Sequence, residues 1–100
     1  MSAKVISVGF AITTNVKRVF TEGEIVSALV RHLKGDWGDL SAADKKSNDE
    51  ALKTGARLLS AYNFKGGRRM WIITEAANDD GIREYTTCLM PEEYWKNISF

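Results

Sequence analysis

An apolar, β-branched run opens the chain: Val5 to Thr13 (VISVGFAIT) predicts one buried strand, with Gly9 near its middle as a place for a bulge. Thr14 and Asn15 end the run, and Val16 to Phe20 fit a short helical turn. The period then changes. Thr21-Glu22-Gly23-Glu24 sets a hydroxyl at an N-cap and a carboxylate three residues on, which is the capping-box pattern. Behind it Ile25, Val26, Leu29, Val30 and Leu33 recur at the offsets of an amphipathic helix that runs to about Lys34, with Gly35 as its stop. Ser41 and Asp44 offer a second cap. Residues 42–54 read as a more polar helix whose thin apolar face is Ala43, Ala51 and Leu52, with Asn48 on or beside it and Gly55 closing it.

The second half has a strand period. Leu58 to Phe64, Arg69 to Glu75 and Arg83 to Met90 are rich in aromatic and β-branched residues. Lys65-Gly66-Gly67 and Ala77-Asn78-Asp79-Asp80-Gly81 separate them with turn chemistry. Three sequential antiparallel strands, a meander, are expected, and Pro91 stops the last. The order is β-α-α-β-β-β. It predicts an α+β two-layer domain over residues 1–100, helices packed on one antiparallel sheet that the N-terminal strand joins.

Composition narrows the class. One hundred residues with 44% hydrophobic content suffice for a core without staples. Fourteen basic and thirteen acidic side chains leave a net charge of +1, so no global field draws nucleic acid. The small clusters Lys65, Arg68, Arg69 and Lys17, Arg18 read as solvated faces. A single cysteine, Cys88, forms no intrachain disulfide and no cysteine-based zinc site; mid-strand, it reads as an inert buried thiol. No signal-peptide pattern and no apolar run of roughly 20 residues occurs. The expectation is a cytoplasmic protein with no membrane segment and no cofactor or metal.

Gly35-Asp36-Trp37-Gly38-Asp39-Leu40 is the densest segment, placing two carboxylates, an indole and two glycines directly after His32, the only histidine, and Lys34. As a helix junction, Asp36 and Asp39 would accept backbone N–H bonds in a tight turn, with Asp39 near the next helix, and Trp37 would anchor in the core. As a site, Asp36 would orient the His32 imidazole, but Gly35 interrupts the helix this needs. A charge role for His32 at the helix C-terminus is the simpler reading. Arg57, Arg68, Arg69 and Arg83 accompany Tyr62, Trp71 and Tyr85 on or beside the strands, as a single-strand RNA platform would require, although core packing accounts for the aromatics equally simply. The tail Glu92-Glu93-Tyr94-Trp95, with Phe100, is expected to dock on the domain or support a homodimer. No phosphate-binding glycine pattern is present.

Four blocks in order, RHLKGDWGDL (31–40), LKTGARLLSAY (52–62), WIITEA (71–76) and TTCLMPEEY (86–94), resemble a family of small bacterial proteins found on plasmids and other mobile elements, labelled plasmid-related or type I restriction subunit-like. The resemblance implies no catalytic residues. Together with the near-neutral charge and the lack of a catalytic motif, it suggests a non-enzymatic accessory protein that binds a protein partner, with modulation of host defence (restriction or CRISPR interference) as one role. Its candidate contact residues are Asp36, Trp37 and Asp39 of the loop and Tyr62 and Trp71 of the sheet. One alternative is a small RNA-cleaving toxin using His32, Arg57, Arg69 and Arg83; another is a nucleic-acid-binding module without catalysis.

Overall fold

The structure, a computed structural model, describes residues 3–94. Along the chain run β1 (Gly9–Ile12), α1 (Thr14–Val19), α2 (Glu22–Leu33), α3 (Ala42–Thr54), β2 (Leu58–Asn63), β3 (Arg69–Thr74) and β4 (Tyr85–Leu89), with 3-10 turns at Lys65–Gly67 and Pro91–Glu93. The expected α+β architecture of helices on a sheet is what the chain forms. The strands lie in the order β1-β4-β3-β2. The meander is antiparallel, whereas β1 runs parallel to β4, so the sheet is mixed rather than wholly antiparallel.

Helix limits follow the local chemistry. Thr21 and Glu24 close a complete capping box on α2, and Ser41 Oγ accepts from the Asp44 N–H to start α3. Gly55 ends α3 with a left-handed φ of 84°. The helix-facing side of the sheet carries Ser60, Tyr62, Met70, Ile72, Thr74, Thr86 and Cys88, all fully buried. Val16, Phe20, Ile25 and Ala28 pack on the central part of that side. Val5, Trp37, Ala51 and Leu58 form a second cluster at its end.

Two expectations change. The predicted buried strand from Val5 to Thr13 is only four residues of sheet, and it lies at an edge with Phe10 half exposed. Val5 leaves the strand path to fill the cluster beside Trp37, and the Lys4 and Val5 N–H groups both bond the Leu33 carbonyl at the end of α2. The apolar stripe of α2 is also rotated: Ile25, Ala28 and His32 are buried, while Val26 and Val30 are 54% and 42% exposed. The Val5 to Thr13 run, apolar almost throughout, carries no period from which to tell its inner face from its outer one.

Candidate functional site

The two edges of the sheet are treated differently. Along β2 the backbone groups of Leu59, Ala61 and Asn63 point away from β3. Side chains and the loop supply partners for them. The Asn48 amide acts like a strand residue, donating to the Leu59 carbonyl at 2.7 Å and accepting from the Leu59 N–H at 3.2 Å. The Asp39 N–H reaches the Ala61 carbonyl at 2.7 Å, and the Ala61 N–H reaches the Trp37 carbonyl at 3.2 Å. Asp39 Oδ2 accepts from the Asn63 N–H at 2.9 Å.

This is the work of the GDWGDL segment. Gly38, at φ 78°, forms a bridge with Ala61, and a Cβ there would collide with the Ala61 carbonyl and lie 2.6 Å from the Tyr62 ring. Asp36 Oδ1 accepts from the Gly38 N–H, as a tight turn requires. Asp36 also pairs with Arg31 at 2.7 Å, and that bond holds its carboxyl below the usual range. Asp39 does not serve the next helix; it ends the β2 edge. Trp37 is the core anchor, 4% exposed, with Nε1 donating to Asp49 Oδ1 at 2.9 Å. The loop is therefore a strand seal, and of its three candidate contact residues only Asp36 and Asp39 reach solvent.

His32 lies in the core and not at a charged helix end. Nothing of it is exposed, and its Nδ1 and Nε2 lie 2.6 Å from Ser60 Oγ and 2.8 Å from Thr74 Oγ1, which in turn meets Thr86 Oγ1 at 2.8 Å. Burial, assisted by the Arg83 charge, pushes its pKa down to about 4, so the ring is neutral. A neutral imidazole donates from one nitrogen and accepts at the other, which suits two hydroxyl neighbours. Asp36 takes no part in this chain of bonds.

The other candidates are scattered. Arg83 donates to the carbonyls of Ala51, Ala56 and Glu75, fastening the end of α3 to the β3–β4 connection. Arg57 donates to the Tyr94 hydroxyl at 2.9 Å. Arg69 is exposed and pairs with Asn63 at the far end of the β2–β3 ladder, which begins at Leu58 beside Arg57. Thus His32 is enclosed in the core, and Arg69 lies at the opposite end of the β2–β3 ladder from Arg57. Tyr62 and Trp71 lie on opposite faces, because Tyr62 opposes Met70 and Trp71 opposes Ala61. Tyr62 is fully buried, donates to the Asp36 carbonyl at 2.6 Å and has its phenol pushed up to about 12 by burial. Trp71 packs edge-on against Tyr94, at 5.6 Å between ring centroids. Tyr62 therefore shares no platform with Trp71. Cys88 is fully buried, and burial raises its thiol to about 12. Glu93 docks the tail by accepting from Thr13, Asn15 and the Met90 N–H; Trp95 and Phe100 lie outside the described residues. Among the described residues no group of three His, Cys, Asp or Glu side chains could hold a metal ion, and no helix is long and apolar enough to cross a membrane.

Among the described residues nothing pairs with the outer side of β1. The Gly9 and Thr13 N–H groups bond to β4, at the Glu84 and Cys88 carbonyls, so alternation turns the N–H and C=O of Phe10 and Ile12 outward. Phe10 and Ile12 oppose Thr86 and Cys88, which places their side chains on the helix-facing side. There a groove of about 520 Å³ runs between β1, α1 and α2, lined by Ile12, Phe20, Ile25, Val26 and Leu29, with Lys17 and Glu22 as its charged members. Phe10 is 51% exposed, and Ile6 and Val8, in the segment leading into β1, are 78% and 75% exposed. Sequence reasoning missed this surface. Its signal was the excess of apolar residues around Gly9, more than a four-residue edge strand can bury.

No protein family, curated protein or solved structure matches the chain.

Proposed function

We propose that this chain is a small non-enzymatic accessory protein that acts by binding a protein partner through its β1 flank. The contrast between the two sheet edges carries this reading. The β2 edge is closed by Asn48 and the GDWGDL loop, whereas β1 presents unpaired backbone groups beside exposed apolar side chains and a groove. An uncovered apolar edge is a template for another strand, and strand addition is a recurrent mode of protein recognition. The resemblance of the four sequence blocks supports a mobile-element origin and a role in modulating host defence, restriction or CRISPR interference. The RNA-cleaving alternative needs His32 to reach a phosphodiester, which full burial and two hydroxyl contacts oppose. A nucleic-acid module is opposed by the net charge of +1.

Affinity capture at native expression tests the reading, with wild type beside Phe10→Asp. A host protein retained by wild type and lost with the variant is the expected result. Recovery of no host protein, or equal recovery with both, would overturn it.

A further inference from the structure

Phe10 presents an aromatic ring half exposed on an edge strand, next to a groove that nothing among the described residues fills. Those two features are complementary. Let a second β1 run antiparallel beside the first, with the two Ala11 residues facing each other across a two-fold axis. Phe10 of each copy then opposes Ile12 of the other, and these are the residues whose N–H and C=O groups point outward. Opposed residues share a face, so each Phe10 ring arrives on the helix-facing side beside the Ile12 that lines the other copy's groove. Each copy supplies both ring and recess, as an isologous interface requires.

We propose that the β1 flank joins two copies of this chain into one continuous sheet, with Phe10 of each seated in the other's groove. This rests on the reading of that flank as a protein-binding surface and names its occupant. Ile6, Val8 and Phe10 in and before β1, and Val26 and Val30 on α2, are each more than 40% exposed, an apolar excess of the kind that a second copy covers. The groove carries one charge of each sign, Lys17 and Glu22, and the chain's net charge is only +1, so two copies do not repel. A host partner and a second copy are then alternatives for one surface, and dilution favours the partner.

Sedimentation equilibrium from micromolar to millimolar concentration should show association to twice the 11.2 kDa chain. Phe10→Asp, at an exposed position, should remain monomeric with an unchanged circular dichroism spectrum. Ala11→Cys tests the register: facing residues at a non-hydrogen-bonded pair lie about 4.5 Å apart between Cα atoms, within disulfide reach. Mild oxidation should therefore link Ala11→Cys into a covalent dimer and leave Glu50→Cys, on the exposed face of α3, unlinked. Cys88 is buried and does not compete. A wild type monomeric throughout, or equal cross-linking of the two cysteine variants, overturns the proposal. If that monomer still captures a host protein in a Phe10-dependent way, the flank binds protein and only its occupant is wrong. A Phe10-dependent dimer that captures no host protein supports the proposal and removes the host partner instead.

Discussion

Acidification should weaken this fold mainly through His32. The imidazole is fully buried between Ser60 and Thr74, with a folded-state pKa of about 4 against an ordinary 6.5. The unfolded chain therefore binds a proton that the folded chain refuses between these two values. Stability is fully present above pH 6.5, falls as pH drops and levels off below about 4. For this shift the loss is about 2 kcal/mol by pH 5 and about 3 kcal/mol by pH 4. That is a large share of the roughly 5–15 kcal/mol by which a domain is ordinarily stable. Arg68 holds the Glu24 carboxyl down to about 2, and Arg31 holds that of Asp36 low, so neither of these titrates ahead of His32. Urea unfolding followed by tryptophan fluorescence at half-unit pH intervals measures the loss directly. His32→Gln should be less stable at pH 7 yet lack this component, so the two stability curves converge as pH falls. A wild-type curve flat from pH 6.5 to 4, or one with the same slope in His32→Gln, would refute the placement of a neutral histidine in the core.

Two substitutions probe the sealed edge. Asn48→Ala leaves the outward N–H and C=O of Leu59 without their partner and should cost about 1–3 kcal/mol in chemical denaturation; a cost below a few tenths would show that water replaces the amide. Gly38→Ala places a Cβ against the Ala61 carbonyl at a φ of 78°, so it should abolish cooperative unfolding or lower the melting temperature by more than 10 °C, roughly 2 kcal/mol or more for a domain of this size. A variant melting like wild type would mean that the loop does not lie on the β2 edge.

What was legible in the sequence was what local chemistry dictates. Thr21 with Glu24, Ser41, Gly55 and the glycine turn at 65–67 each act through neighbours within a few residues, so helix and strand limits followed from them. The inner and outer sides of elements were less legible. His32 reads as a charged helix end because its partners, Ser60 and Thr74, lie 28 and 42 residues away. The GDWGDL segment reads as a junction with a tryptophan anchor, but its second role depends on β2, more than twenty residues on. Asn48 looked like a polar intrusion on a thin apolar stripe, and only the strand beside it shows why an amide belongs there. Carboxylates, an indole and arginines drew attention to the loop and the sheet, whereas the open surface consists of Ile6, Val8, Phe10, Val26 and Val30, which composition assigns to the core.

Backbone amide hydrogen exchange, resolved by residue and repeated across protein concentration, tests the contrast of the two edges most directly. The Leu59, Ala61 and Asn63 amides should exchange slowly at every concentration, because Asn48 and the loop hold them within one chain. The Phe10 and Ile12 amides should exchange quickly in dilute solution and become protected as concentration rises. Protection of Phe10 and Ile12 equal to that of Leu59 in dilute solution would contradict the open edge, and fast exchange at all concentrations would contradict its pairing with a second copy.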